Sequence, residues 1–294
     1  TRQTTENATV TADLSSLQTT IERLHAAGAD ADRDEARTVF ATFRAELSSG
    51  RVRSAVPDPS APTGWTVNTW VKQGILVGFR CGDIAPLAGP DPGAPFLDKD
   101  TLPLKPLAAS SRVRLVPGGS SIRDGAYVGE GVICMPPMFI NIGAYVGENS
   151  LIDSHALVGS CAQVGQRVHV SAGAQIGGVL EPIGALPVII EDDALVGGST
   201  GIYEGAVVKA RAVIAAGTVL TGSTPVYDLP RQRVIRREAG SPLVIPEGAV
   251  VVPGTRAVTA DAGREWGLAL ATPVIVKYRD DKTDTGTELE AWLR

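Results

Sequence analysis

The stretch INIGAYVGENSLIDSHALVGSCAQVGQRVHVSAGAQIGG, Ile140–Gly178, decides the fold. Its aliphatic residues return every six positions, at Ile140, Val146, Ile152, Val158, Val164, Val170 and Ile176. The spacing extends backward through Cys134, Val128 and Ile122 to Val116. After one interruption it resumes at Ile190, Val196, Ile202, Val208, Ile214 and Leu220. A helix would place apolar residues three and four apart, and a half-buried strand would alternate them; a period of six belongs to neither. Four residues beyond the aliphatic position comes a second, mostly small residue, as at Ala144, Ser150, Ala156, Ala162, Ala174, Ala194, Ala206 and Ala212. This is the hexapeptide repeat of a parallel β-helix, in which each hexad is a short strand plus a turn and three hexads close one triangular coil. The aliphatic residue fills the prism and the small one lets the corner turn. Seventeen positions stand in register, eleven before the break and six after, which is too long an array for coincidence.

Outward from this array, the break between Ile176 and Ile190 spans fourteen residues, not a multiple of six, so a loop must leave the prism at 177–189. A second, basic excursion occupies 227–243, and one more hexad pair returns at Ile245 and Val251. Beyond Pro253 the repeat is lost; Thr272–Tyr278 reads as a strand and Thr287–Leu293 as a short closing helix. Caps are expected because the last coil would otherwise expose an apolar face and an unpaired edge. Before the array, residues 1–12 are polar and read as a loose end, and the spacing of Leu17, Ile21 and Leu24 and of Val39, Phe40, Phe43 and Leu47 predicts two amphipathic helices, the second closed by Gly50. Trp65–Arg80 has helical spacing in its second half, while 82–111, with six prolines, reads as an irregular connector. The expected fold is mainly β: a left-handed parallel β-helix over 112–255, a small α-helical N-terminal domain with its connector over 1–111, and a C-terminal cap of strand and helix over 256–294.

Composition bounds the function. A net charge of −5 argues against a nucleic-acid partner. No stretch has the length of a membrane span and the start lacks the layout of a signal peptide, which makes a cytoplasmic location the default expectation. Three cysteines, Cys81, Cys134 and Cys161, show no CxxC spacing, so neither a disulfide framework nor structural zinc is indicated. Cys161 beside Ser160 has no obvious base and reads as structural. His25, His155 and His169 have no partner at metal-ligand spacing, so no metal site is expected.

Among outward positions, Asp153, His155 and Glu204 stand out. Counting hexads by threes puts Ile152 on the face of Val116 and Ile202 on another, so the carboxylates of Asp153 and Glu204 cannot share one flat face of one chain. They can meet at a corner or across a subunit boundary. The wording around them is distinctive: RLVP (Arg114–Pro117), INIGAYV (Ile140–Val146), IDSHALVGSCAQVG (Ile152–Gly165), GGVLEP (Gly177–Pro182), IIEDDALVGG (Ile189–Gly198) and YEGAVV (Tyr203–Val208). These motifs resemble the tetrahydrodipicolinate N-succinyltransferase family, as do the helical N-terminal region, the WTVNTW…VGFR segment and the PVIVKYRDDKT tail.

The resemblance implies transfer of succinyl from succinyl-CoA to the amino group of 2-amino-6-oxopimelate, the hydrated, acyclic form of tetrahydrodipicolinate, in lysine and diaminopimelate biosynthesis. It also implies a homotrimer with active sites between subunits, no tightly bound cofactor, and succinyl-CoA as co-substrate. Carried over residue by residue, Arg114 and Asp153 contact the substrate together with Ser160, and Glu204 is the second active-site carboxylate. The chemistry agrees. An ammonium must lose a proton before it attacks a thioester, so a carboxylate is needed as base or to orient the amine. A dicarboxylate suits the fork of Arg114, and main-chain N–H groups at Gly177 and Gly178 suit the tetrahedral oxyanion. Lys209, Arg211 and the cluster Arg231, Arg233, Arg236 and Arg237 are candidates for the CoA phosphates. The chain departs from the family pattern at His155, where the family has Trp, and at Gly198-Ser199, where it has Arg-Ser. Three alternatives stay open: an N-acetyltransferase or paralogue acting on another amino acid, a γ-type carbonic anhydrase, and a non-catalytic solenoid.

Overall fold

Each hexad supplies a two-residue strand whose second residue points inward, and each strand pairs in parallel with those one coil before and after it. Leu151–Ile152, for example, lies between Ile133–Cys134 and His169–Val170. The computed structural model describes residues 2–91, 94–238 and 240–280, and within them these pairings build three faces. The first face carries Arg114–Leu115, Ile133–Cys134, Leu151–Ile152, His169–Val170, Leu195–Val196 and Val213–Ile214. The second carries Ser121–Ile122, Phe139–Ile140, Leu157–Val158, Gln175–Ile176, Gly201–Ile202 and Val219–Leu220. The third carries Tyr127–Val128, Tyr145–Val146, Gln163–Val164, Ile189–Ile190, Val207–Val208 and Val244–Ile245. The inward aliphatic residues from Ile122 to Val251 form one continuous buried core with the small corner residues. At the corners a left-handed residue recurs three positions after the inward one, as at Gly143, Asn149, His155, Cys161, Arg167, Asp193, Ser199 and Arg211, which turns the chain onto the next face.

The first coil differs from the sequence reading. Val116 is not the inward residue; Leu115 stands opposite Cys134, and the Val116 N–H donates to the Cys134 carbonyl at 3.0 Å. The turn that follows holds one residue more than a hexad turn, made possible by Gly118 and Gly119 at φ 141° and 92°. Val113, Leu115 and Val116 are apolar in either register, so nothing in the sequence distinguishes the two. The two excursions fall where expected. Val164 pairs with Ile190, so the 177–189 loop adds eight residues to its coil, and Ile245 and Val251 return opposite Val208 and Ile214. From there the chain runs into a long hairpin, Ala249–Ala257 against Ala269–Tyr278, which contains the expected strand and carries a short helix, Asp261–Glu265, at its far end. The closing helix expected at Thr287–Leu293 lies outside the described residues.

Ahead of the prism, α1 (Arg2–Ala27), α2 (Arg33–Ser48) and α3 (Thr69–Cys81) pack together. α1 starts at Arg2, so the polar residues expected to be loose join the helix, whose hydrogen bonds are local and need no apolar partner. Asp32 caps α2 by accepting the Glu35 N–H. Gly74 and Gly78 let α3 approach α2 closely: a Cβ there would meet the Phe43 and Phe40 rings at 2.7 and 2.1 Å. The helical core continues into the prism, with Ile142 and Cys161 buried alongside Phe40, Phe43, Val71 and Ile75. The connector is not wholly irregular; Ile84–Asp91 and Ala94–Lys99 form an antiparallel hairpin. Its prolines are tolerated because each strand of a two-stranded ribbon has an edge that needs no donor.

Candidate active site

The prism sorts the site residues by corner. Ser160, Gly177 with Gly178, and Glu204 follow the second-face strands Leu157–Val158, Gln175–Ile176 and Gly201–Ile202, which are stacked on one another; the four residues therefore form one column at successive levels. Asp153 follows the first-face strand Leu151–Ile152, and Arg114 lies on that same face two strands below, about 10 Å away along the axis by strand spacing. Lys209 and Arg211 follow the third-face strand Val207–Val208. The structure thus brings Ser160, Gly177, Gly178 and Glu204 together, sets Arg114 and Asp153 on one face two strands apart, and keeps Lys209 and Arg211 at a third corner.

The second-face column is floored by glycine. A Cβ on Gly159 would lie 2.2 Å from the Gly178 nitrogen, and one on Gly178 2.6 Å from the Ser160 nitrogen, so two coils touch backbone to backbone. The Gly177 N–H donates to the Ile202 carbonyl at 2.8 Å. Gly178 is exposed and its N–H makes no hydrogen bond among the described residues. Of the two amides suggested by sequence, that of Gly177 is taken up by the neighbouring coil and that of Gly178 has no hydrogen-bond partner among the described residues. Glu204 is exposed, with one oxygen accepting the Gly222 N–H at 2.9 Å. It has a positive φ of 55° and is followed by Gly205 at 72°. Elsewhere in the regular corners the left-handed residue comes third after the inward one; Glu204 comes second. Such a backbone costs on the order of 1 kcal/mol and gathers at functional sites. A cleft of about 330 Å³ opens beside it, lined by Trp65, Gly184, Ala185, Leu186, Glu204 and Arg237 among others.

Asp153 is half-buried, and its carboxylate accepts the Ser154 N–H at 2.6 Å. The Arg114 side chain is exposed and has no hydrogen-bond or ion-pair partner among the described residues. His155 is an exposed corner residue at φ 61°, its N–H donating to the Pro137 carbonyl at 2.6 Å. Lys209 is already engaged: its ammonium meets Glu191 at 2.7 Å and the Thr63 carbonyl at 2.6 Å. Of the basic cluster, Arg231 stacks on Tyr278 and Arg233 pairs with Asp228, while Arg237 reaches the cleft of Glu204.

Two further residues, Lys72 and Tyr203, shape the surroundings of the column in roles that no motif marks in the sequence. Lys72 on α3 is fully buried and donates to the Ala185 carbonyl at 2.6 Å, pinning the 177–189 loop to the helices; burial pushes its pKa down. Nothing in a lone lysine on an apolar helix says which loop it will hold. Tyr203 lies across the glycine column, a placement visible only once the coils are stacked. Cys161 is buried beneath the helices, where desolvation pushes its thiol up to about 12, and it supports packing rather than attack. Among the described residues no three His, Cys, Asp or Glu converge to hold a metal, and no helix is long and apolar enough to cross a membrane.

Known proteins match both halves of the chain. The family model described as Tetrahydrodipicolinate N-succinyltransferase N-terminal matches residues 16–81, and the one described as Hexapeptide repeat of succinyl-transferase matches residues 187–222. A 2,3,4,5-tetrahydropyridine-2,6-dicarboxylate N-succinyltransferase of Rhodopseudomonas palustris (strain TIE-1) is 43% identical over 84% of this chain and 86% of its own. Its namesake from Afipia carboxidovorans is 36% identical over 96% and 99%. Among solved structures, a hexapeptide-repeat-containing acetyltransferase from Vibrio cholerae complexed with acetyl-CoA is 18% identical, covers 51% of this chain and 72% of that one, and has a TM-score of 0.31.

Proposed function

The chain belongs to the tetrahydrodipicolinate N-succinyltransferase family, and from that premise we propose that it transfers succinyl from succinyl-CoA to the amine of 2-amino-6-oxopimelate, the hydrated form of tetrahydrodipicolinate. It is a CoA-dependent acyltransferase of lysine and diaminopimelate biosynthesis. The observation that carries the residue assignment is the open column of Ser160, Gly178 and Glu204, which combines a hydroxyl, an unpartnered amide and a carboxylate on a glycine floor.

The proposed mechanism follows from what each group can do. Arg114 holds a substrate carboxylate through its guanidinium fork. Asp153 and Glu204 face the amine; one takes the ammonium proton and the other orients the nitrogen lone pair toward the thioester carbon. Attack forms the carbon–nitrogen bond and a tetrahedral oxyanion, which the Gly178 N–H stabilises. Collapse breaks the carbon–sulfur bond as the attacking nitrogen gives its second proton to solvent, and the carboxylic acid returns its proton to the departing sulfur, so that CoA leaves as a thiol and a neutral amide remains. No acyl-enzyme forms, in keeping with the burial of Cys161. Because Asp153 and Glu204 follow strands of different faces, the site is completed by a second copy in a homotrimer, which places the Asp153 corner of one chain against the Glu204 corner of the next. Arg237 and Arg211 are the cations proposed for the CoA phosphates; Lys209 keeps its place as a tie to the N-terminal segment. The protein works in the cytoplasm. Incubation with succinyl-CoA and an aminopimelate acceptor, followed through thiol release, tests this reading. No release would overturn it.

A further inference from the structure

Tyr203 immediately precedes Glu204 and leaves the second face outward, yet its ring does not stand off into solvent. It lies down over two glycines: a Cβ on Gly177 would meet its Cδ1 at 2.8 Å, and one on Gly201 would meet its Cε2 at 2.5 Å and its hydroxyl at 2.9 Å. Any larger residue at 177 or 201 would lift the ring away. The aromatic plane therefore paves the flat of the second face, starting beside Glu204 and running back along the strand Gly201–Ile202. The residue remains 36% exposed, and its hydroxyl makes no hydrogen bond among the described residues. A rigid ring seated on backbone, with an open phenolic O–H at its far end, forms one wall of a groove and offers one donor.

We propose that Tyr203 is the residue that selects a dicarboxylic acyl group on the donor, its hydroxyl meeting the far carboxylate of the succinyl chain. This rests on the acyl-transfer reading above. With the thioester carbonyl between the Gly178 N–H and Glu204, the acyl chain must run either out of the prism or back along the second face. In the second direction it lies on the Tyr203 ring. The far carboxylate of a succinyl group is three carbon–carbon bonds from the reacting carbon, a reach of little more than one residue of extended strand, about 3.3 Å, and this brings it toward the hydroxyl beside Gly201. An O–H donated to a carboxylate is a charge-assisted bond, and a phenol supplies it without a counter-charge that would also attract the phosphates of CoA. The acceptor's carboxylates belong elsewhere, with Arg114 on the first face.

The test is Tyr203→Phe, which keeps the ring on its two glycines and removes only the hydroxyl. We expect kcat/KM for succinyl-CoA to fall by about ten- to a hundredfold, the usual scale for a hydrogen bond to a charged group. The KM of the aminopimelate acceptor should be unchanged, as should inhibition by free CoA, which lacks the acyl group. Tyr203→Ala, which uncovers Gly177 and Gly201, should weaken succinyl-CoA further. An unchanged kcat/KM in Tyr203→Phe overturns the assignment, as does a loss that appears in the KM of the acceptor or equally in CoA inhibition. If the unaltered protein itself releases no thiol from succinyl-CoA, the underlying reading fails together with this one; normal turnover with an indifferent Tyr203→Phe sinks this one alone.

Discussion

Glu191 lies one residue and Glu204 two residues beyond an inward isoleucine at corners of the same prism, and their surroundings are opposite. Glu191 accepts the indole N–H of Trp65 at 2.8 Å, the Lys209 ammonium at 2.7 Å and the Ala210 N–H at 3.0 Å. Glu204 accepts a single backbone N–H, from Gly222. The repeat that positions the two is the same. What differs is that the chain's own N-terminal segment, through Thr63 and Trp65, bonds to the third corner, while at the second it only borders an open cleft with exposed polar groups and a glycine floor. A carboxylate whose hydrogen-bonding capacity is filled serves the fold; one with capacity to spare on a strained turn is available for chemistry.

This contrast can be broken in four ways. Glu204→Gln should lower kcat for thiol release from succinyl-CoA by about a hundredfold or more, the scale of lost acid–base catalysis, while the melting temperature barely moves, because an amide oxygen can still accept the Gly222 N–H. A glutamine enzyme with full kcat would end the proposed role. Glu191→Ala should do the reverse: it strands Lys209, Trp65 and the Ala210 N–H, so urea denaturation should show a loss of about 2 kcal/mol, with the rate per folded molecule kept. Gly178→Ala pushes a methyl against the Ser160 backbone nitrogen and should cost about 1–3 kcal/mol as overpacking; Gly184→Ala in the same loop, with nothing within 4 Å of the added carbon, should cost nothing detectable. Equal melting curves for these two variants would mean that the coils do not touch backbone to backbone at Gly178. The smallest effect concerns the thiols. Burial pushes Cys134 and Cys161 up to about 12, so a thiol reagent at pH 8 should label neither before unfolding. A raised folded pKa contributes stability that is complete below the ordinary thiol range near 9 and is lost as pH rises toward 12; melting temperature measured across that window should fall, and less steeply in a Cys161→Ala variant compared with its own value at pH 8.

How much of this was legible in the sequence depended on whether a contact was periodic. The inward positions from Ile122 to Val251 could be read because the same interaction recurs at a fixed interval, and counting by threes was enough to separate Asp153 from Glu204. Val116 failed for the converse reason: at the open first coil an extra residue in the Gly118-Gly119 turn shifts the register, and only one neighbouring coil, on one side, constrains it. The hairpin at 84–99 was hidden by its prolines. In the site, the residue types came from motifs and the separation of Asp153 from Glu204 from counting, but which groups stack into one column came from the structure. Lys209 looked like a phosphate ligand until its partner Glu191 and the distant Thr63 came into view. Tyr203 could not be recognised as a wall without seeing that Gly177 lies one coil away from it.

The N-terminal segment has one further effect. Ser48 bonds to Asp124, Ser54 donates to the Cys161 carbonyl at 2.7 Å, Arg53 donates to Gln163 at 2.9 Å, Ala55 packs on Ile189 and Val207, and Thr63 receives Lys209. A stack of coils in which each touches only its neighbours melts like a one-dimensional lattice, fraying from its ends. A stave fastened across successive coils ties their fates together, so that opening any one strains the others. The segment that closes one corner of the prism thereby makes the stack of coils a cooperative unit.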